Sequence, residues 1–388
     1  MHPKDISIVG GGPVGASLAL ALSGTPLDLS LVEAHAPAQP GSSQEWDARV
    51  YAISPQSRTF LESMQAWPCL DRGRLAPVRR MLVFGDAGTH VEFSAYESGV
   101  PELAWILEAG ALARALWAKL QDRGRVELIC PSVPQRLEVL PGTARLELAS
   151  GRIVESRLVV GADGANSFVR REVGLKADTR PYGQLGVVAN FQCRRPHRDT
   201  AFQWFRGDGV LAWLPLPGER MSMVWSTAEE HARELLSLTP EQLCQRVAAA
   251  GAHSLGELTL ITPPAAFPIA SLRVPAMTGP RVALIGDAAH VVHPLAGQGV
   301  NLGLADAQQL SRLLAEGAPH GDAGDPMLLR RFARSRSEDT LAMRWATDGL
   351  AKLFAARGRG AAGLRNWGLN SVNRAPVIKT LLARHALG

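Results

Sequence analysis

The hexapeptide Gly10-Gly11-Gly12-Pro13-Val14-Gly15 follows a β-rich run, Asp5 to Val9, and opens an Ala/Leu-rich stretch, Pro13 to Leu22. A second apolar run, Leu27 to Val32, ends on Glu33, 23 residues after Gly10. Strand, glycine turn, helix and strand make a βαβ opening, which commits this part of the chain to an α/β domain with a parallel sheet. Gly10 permits the tight turn, Gly12 lets the backbone approach a pyrophosphate, and Gly15 lets helix and strand pack closely. The helix N-terminus then faces the phosphates and Glu33 accepts from ribose hydroxyls. An acid at that position suits an unphosphorylated adenosine ribose, as in FAD or NAD, and the motif alone does not choose between them. A separate nicotinamide domain would need a second such fingerprint, and the chain has only this one.

Beyond the opening, helical patterns at Pro55 to Met64 and Ala109 to Gln121 alternate with strand patterns at Val78 to Phe84 and Arg152 to Val160. From about Tyr182 to Thr227 the chain reads as short strands, Leu185 to Cys193, Thr200 to Phe205, Val210 to Leu214 and Ser222 to Ser226, separated by turn residues. The expected architecture is therefore α/β, a Rossmann-like nucleotide domain with an inserted antiparallel β-sheet substrate domain and a helical C-terminal segment. The nucleotide domain is assigned to 1–72, 96–175 and 276–388, and the substrate domain to 73–95 and 176–275. Ala315 to Asp325 is expected to be an exposed loop between helices.

Two further motifs carry chemistry. Leu158 to Arg170 runs from a strand through Gly161-Ala162-Asp163-Gly164 into a helix that Asn166 or Ser167 caps. Val282 to Ala307 is a buried strand ending in Gly286-Asp287, then His290, His293-Pro294-Leu295-Ala296-Gly297-Gln298-Gly299-Val300-Asn301, and an Ala/Leu-rich helix from about Gly299 to Leu314. Free N–H groups at that helix start favour negative charge held against them. His290 and His293 have no third ligand at metal spacing, so no metal site is expected. No Gly-x-Ser-x-Gly elbow is present.

In this order and at these separations, the three motifs resemble those of the class A flavoprotein aromatic hydroxylases, with a para-hydroxybenzoate hydroxylase-like fold. More closely, the chain is similar to the ubiquinone-biosynthesis hydroxylase family from Asp5 to Gly388. Further support comes from Trp46 to Ser54, Tyr182-Gly183-Gln184, Ala201 to Phe205, Leu214-Pro215-Leu216, Phe267-Pro268 and Arg365 to Leu369. Met64-Gln65-Ala66-Trp67 and Phe332 depart mildly from the usual pattern. The resemblance implies FAD as cofactor, with Gly10, Gly12, Gly15 and Glu33 on its ADP half and Arg49 and Arg114 touching it. Asp163 and Gly164 belong to a motif tied to both FAD and nicotinamide-nucleotide binding, and Asp287 would bond the ribityl chain. Pro294, Ala296, Gly297, Gln298, Gly299, Val300 and Asn301 would border the isoalloxazine. Pro294 and Gly297 act there as flavin-positioning residues, and no side-chain acid or base is assigned. NAD(P)H is implied as a transient co-substrate, and O₂ adds at flavin C4a to give a hydroperoxide that hydroxylates a prenylated phenol. Gly297→Val is expected to abolish flavin retention or hydroxylation. The competing readings are a hydroxylase of a soluble aromatic compound and a non-catalytic flavin- or lipid-binding scaffold within a biosynthetic complex.

Charge and cysteine usage bound the setting. Of 41 Lys and Arg, twelve fall between Arg330 and Gly388, where only Glu338, Asp339 and Asp348 oppose them. The overall +5 is too slight to suggest nucleic-acid binding unless concentrated. It is concentrated: that segment carries +9 and the preceding 329 residues −4, so whatever wants positive charge sits at the C-terminal end, and no nucleic-acid partner is expected. Val377, Ile378, Leu381 and Leu382 beside Lys379 and Arg384 fit peripheral contact with an anionic membrane surface. No apolar run approaches the roughly 20 residues that span a bilayer. Cys69, Cys130, Cys193 and Cys244 lie far apart, and no leader precedes the first strand, so a cytoplasmic location is expected, peripheral at the inner face of the membrane, alongside other ubiquinone-biosynthesis proteins.

Overall fold

The computed structural model describes residues 2–39, 45–85, 90–292, 299–317 and 321–336. Its first layer is a sheet in the order Thr278–Gly279, Val282–Leu284, Ile153–Gly161, Lys4–Val9, Leu29–Val32, Val126–Ile129. All but the first of these pairings are parallel, and the hairpin Pro134–Leu140 and Thr143–Leu148 lies antiparallel against Ile153–Gly161. The strands read as continuous apolar runs because both faces are covered: Ile6, Ile8, Leu31, Leu158, Val160 and Leu284 are fully buried. Helices Pro13–Leu22, Ala109–Arg123 and Gly299–Gly317 pack on this sheet and on one another. The crossing of the first and last of these helices is close, since a Cβ on Gly303 would lie 2.6 Å from Val14 Cγ2.

The second layer is a nine-stranded sheet among the described residues, built around Asp178–Cys193, Thr200–Arg206, Gly209–Leu216, Arg220–Ala228 and Ala265–Arg273. It is antiparallel as expected, with one exception: Arg80–Phe84 runs parallel to Thr200–Arg206. No hairpin joins those two strands, so their mutual direction is free of turn geometry. The single strand expected over Val78 to Phe84 is in fact two. Ala76–Val78 pairs with Ala104–Glu108 in a small sheet that also holds Val50–Ile53, and Arg80–Phe84 enters the large sheet. Helices Glu229–Ser237 and Pro240–Ala250, which the strand pattern did not mark, cover one face of the large sheet over Val187, Ala189, Phe191, Met221, Met223 and Trp225.

The two layers meet where the third motif passes between them: Val282–Leu284 lies in the parallel sheet, and His290–Val291 pairs with Leu272 and Arg273 at the edge of the large one. Residues 326–336 are helical. The helix at Gly299 extends to Gly317, so the loop expected from Ala315 begins later. The basic run beyond 336 lies outside the described residues.

Candidate functional site

The three glycine-bearing turns leave the carboxyl ends of three adjacent parallel strands at one level. Val9 pairs with Gly161, and Gly161 with Leu284; Val32, the residue before Glu33, also pairs with Val9. Carboxyl ends of parallel strands are where open α/β sheets bind ligands. The first turn shows the division of labour its spacing requires. Gly10 has φ 103°, and a Cβ there would sit 2.4 Å from the Ala162 carbonyl oxygen. A Cβ on Gly15 would sit 2.0 Å from the Gly10 carbonyl oxygen, whereas one on Gly12 would meet nothing within 4 Å. Gly10 and Gly15 are therefore fixed by the fold, and Gly12 faces open space at the start of a helix that no side chain caps. Glu33 accepts from the Gly11 N–H at 2.5 Å and from the His35 N–H at 3.1 Å, which fixes its carboxylate beside the loop. Trp117 donates its indole N–H to the Gly11 carbonyl at 2.7 Å and is buried under the turn.

At the second turn, Asp163 Oδ2 accepts from the Val169 N–H at 3.0 Å, while its buried Oδ1 has no partner. Ser167 caps the short helix Phe168–Glu172 by accepting from the Arg170 N–H. Arg170 is buried and donates to the carbonyls of Ala165, at 2.6 Å, and Ala288, at 2.8 Å, joining the second motif to the third. Desolvation pulls its pKa down, opposed by Asp163.

The third turn rests on a buried charge cluster. Asp306 accepts from the Gly286 N–H at 2.9 Å, His290 Nε2 at 2.6 Å and Arg336 Nε at 2.7 Å. Burial alone would raise the Asp306 pKa, but His290, Arg336 and the Gly286 amide together hold it below the usual carboxylate range. His290 is thus engaged with a carboxylate inside the protein, and His293 lies outside the described residues. Gly286, at φ 61°, turns the chain so that the next residue, Asp287, is solvent-accessible. Protein atoms crowd that carboxylate on the remaining sides, and the desolvation lifts its pKa, opposed by His290 and Arg49.

Arg49 is exposed, its guanidinium 5.6 Å from the Tyr51 ring centroid. Desolvation raises the Tyr51 pKa; Arg49 opposes this, and Asp287 and Asp47 add to it, so these groups share one electrostatic neighbourhood. The segment bearing Arg49 is held by buried Glu108, which accepts from the Asp47 N–H and from Arg74 Nε, both at 2.6 Å. Asp47 in turn accepts from the amides of Arg49 and Gly110, and the Asp47 carbonyl accepts from Asn190 Nδ2 of the large sheet at 2.9 Å. Asn301 clamps the same strand to the long helix, accepting from the Ser54 N–H and donating to the Ala52 carbonyl. Arg114, half-buried, lies beside Gly110 and donates to the Ala38 carbonyl at 3.2 Å. Gly299 and Val300 begin the long helix; Pro294, Ala296, Gly297 and Gln298 lie outside the described residues.

The face of the large sheet away from its two helices meets the segment bearing Arg49 through Asn190 and is partly covered by the small sheet, against which Leu214 packs. The register puts Gly186, Val188, Asn190, Ser222, Val224, Ala212 and Leu214 on that face. Val224, Ala212 and Leu214 are only half-buried, Gly186 is buried, and Phe267, 39% exposed, lies so close over Gly186 that a Cβ there would sit 2.8 Å from its ring. This is an apolar surface with few polar groups, the composition of a site for an aromatic or aliphatic ligand.

A family model described as an FAD binding domain matches residues 138–343. The 3-demethoxyubiquinol 3-hydroxylase of Escherichia coli is 34% identical over all of this chain and 99% of its own length. The ubiquinone hydroxylase UbiL of Rhodospirillum rubrum is 31% identical over 99% of this chain and 89% of its own. The chain belongs to the ubiquinone-biosynthesis hydroxylases. This hydroxylase shares its fold with solved structures. Pseudomonas aeruginosa PqsL in complex with 2-aminobenzoylacetate gives a TM-score of 0.79 at 24% identity, covering 95% of this chain and 100% of PqsL. The p-nitrophenol 4-monooxygenase PnpA of Pseudomonas putida gives 0.82 at 16% identity, covering 100% and 98%.

The hydroxylase's residues fit FAD on grounds of their own. The space in front of Gly12, the uncapped helix start behind it, the unpartnered Asp163 Oδ1 and the desolvated Asp287 are a cradle with polar atoms in want of a ligand. Trp117, Glu108, Arg74, Asp306 and Arg336 were not singled out in the sequence. Asp306 sat in the quoted third motif, but its partners His290 and Arg336 stand 16 and 30 residues away, and spacing alone does not pair them.

Proposed function

We propose that this FAD-dependent monooxygenase hydroxylates the aromatic ring of a prenylated phenol on the route to ubiquinone, with O₂ and with NAD(P)H as a transient reductant. The observation that carries the reading is full-length likeness to hydroxylases of that route, joined to an apolar face of the large sheet. Segments 1–72, 96–175 and 276–388 form the cofactor domain, and 73–95 with 176–275 the substrate domain.

Bound FAD supplies the reduction of dioxygen and the transfer of one oxygen atom to the ring. The protein does the rest. Gly12 and the helix behind it take the pyrophosphate, Glu33 the adenosine ribose, and Asp163 and Asp287 the polar chain between. Gly10 and Gly15 keep strand and helix close enough to form that turn, and Gly164 continues the second one. Arg49, fixed through Asp47 and Glu108, offers a cation at the rim, and Arg114 beside Gly110 a second one. Pro294, Ala296, Gly297, Gln298, Gly299, Val300 and Asn301 border the reacting part of the cofactor, with Pro294 and Gly297 positioning it. The half-buried Val224, Ala212 and Leu214, with the exposed Phe267, orient the ring and exclude water from it. A peripheral membrane contact through the basic segment after Arg330 brings so apolar a substrate within reach.

The test is expression in strains that each lack one quinone-ring hydroxylase. Recovery of ubiquinone in one strain supports the reading and fixes the ring position. Recovery in none, with FAD bound and NAD(P)H oxidised in the presence of a soluble phenol, would replace the prenylated substrate by a soluble one.

A further inference from the structure

The turn between Asp178–Cys193 and Thr200–Arg206 carries Arg194-Arg195-Pro196-His197-Arg198, and beside it lies a hollow of about 320 Å³. Its floor is Leu82 and Phe202, side by side through the parallel register of their strands, with buried Leu255 closing it. Arg80, Arg195 and Arg198 stand at its rim. Arg80 pairs with Glu92 at 2.7 Å, whereas the exposed guanidiniums of Arg195 and Arg198 engage no carboxylate among the described residues.

The turn that presents them is anchored. Buried His197 bonds through Nε2 to the carbonyls of Leu216, at 2.9 Å, and Gly218, at 2.8 Å, and its Nδ1 accepts from the Asp199 N–H. Asp199 is occupied by Arg79 at 2.8 Å. At the same end of the sheet, next to the Ser94 that pairs with Arg80, Tyr96 is 94% exposed. Unpaired arginines over an apolar floor, beside an exposed tyrosine, match the chemistry of a bilayer interface, where cations meet phosphate and amphipathic rings sit at headgroup level. The charge is local, because residues 1–329 carry a net −4.

We propose that this hollow docks the protein on an anionic phospholipid surface, Arg195 and Arg198 taking a headgroup phosphate and Leu82, Phe202 and Leu255 the first methylenes of an acyl chain. The site is separate from the nucleotide turns and does not depend on which phenol is hydroxylated. The probe is phosphatidylcholine vesicles with and without one part in three of phosphatidylglycerol, sedimented with the FAD-loaded full chain. Arg195→Gln/Arg198→Gln should lower partition onto the phosphatidylglycerol vesicles about tenfold or more, since each cation at such a surface contributes roughly a fivefold factor. Arg145→Gln/Arg157→Gln removes the same charge from exposed positions on the other sheet and should change partition less than about twofold. NAD(P)H oxidation with a short-chain soluble phenol should be the same in all three proteins. Equal losses in the two variant pairs, or none in either, would overturn the docking site. Unchanged vesicle binding with lost capture of a polyglutamate peptide would overturn the lipid and assign the hollow to an acidic polypeptide.

Discussion

The parallel sheet and the antiparallel sheet contribute to the site by opposite means. At the ends of the parallel strands the backbone makes the site: Gly10, Gly15 and Gly303 are places where a Cβ would collide, and amides and carbonyls of Gly11, Gly286 and Ala288 take the side-chain bonds. On the antiparallel sheet side chains make it: one face carries Val187, Met223 and Trp225 under two helices, and the other leaves Ala212, Leu214, Val224 and Phe267 only partly covered. A backbone cradle leaves no room for a side chain at Gly10 and Gly15, which suits it to holding one fixed cofactor. An alternating side-chain face can be resurfaced residue by residue, which suits it to choosing among substrates.

The sharpest way to break that comparison is within one turn. Gly15→Ala should cost at least about 3 kcal/mol and lose FAD, because its Cβ would meet backbone 2.0 Å away. Gly12→Ala should leave the melting temperature of the FAD-free protein unchanged and weaken FAD binding by about tenfold or more, roughly 1.4 kcal/mol. Thermal melts with flavin-binding titrations separate the two, and equal destabilisation of the FAD-free protein by both would deny the division of roles.

Next in size is Asp306→Asn, which strips a buried cluster of its anion and should destabilise by about 3–5 kcal/mol at neutral pH. The sign with pH follows from the lowered Asp306 pKa. Its contribution is present above the unfolded carboxylate range and is lost as pH falls through the folded value, so the gap between wild type and variant should close in acid.

Asp287→Asn should behave in the opposite sense. The raised Asp287 pKa means the folded protein holds that proton more tightly, so the ionised group costs stability as pH rises from the unfolded value through the folded one. The FAD-free variant should melt higher than wild type near neutrality while binding FAD less tightly. A lower melting temperature would show the carboxylate to be stabilising. Smallest is Ala212→Leu on the apolar sheet face, which should change kcat/KM for a prenylated phenol by roughly tenfold and leave flavin affinity and melting temperature alone.

The same contrast explains what the sequence discloses. Gly10, Gly12, Gly15 and Glu33 announce themselves because a tight turn, a pyrophosphate approach and a close helix dictate their spacing over one short βαβ unit. Trp117 on Gly11 and Arg74 on Glu108 join residues 106 and 34 positions apart, and only the packed fold brings them together. The strands Thr200–Arg206 through Arg220–Ala228 were legible from alternation and turns, since hairpins fix their own direction. The parallel entry of Arg80–Phe84 was not, because nothing local distinguishes it from the run at Ala76–Val78 that joins another sheet. The face proposed to meet the substrate lies largely on these legible strands, but alternation marks a face without naming its ligand, which is why the cofactor could be read from the chain more readily than the ring position.

On the proposed reading, the backbone cradle and the apolar sheet face together direct one oxygen atom onto a prenylated phenol. The most direct measurement supplies the FAD-loaded protein with NAD(P)H, ¹⁸O₂ and a short-chain prenylphenol and follows the label by mass spectrometry. The account predicts a hydroxylated ring carrying one ¹⁸O for each NAD(P)H oxidised. Oxidation of NAD(P)H that yields only hydrogen peroxide, with the phenol unlabelled, would contradict it.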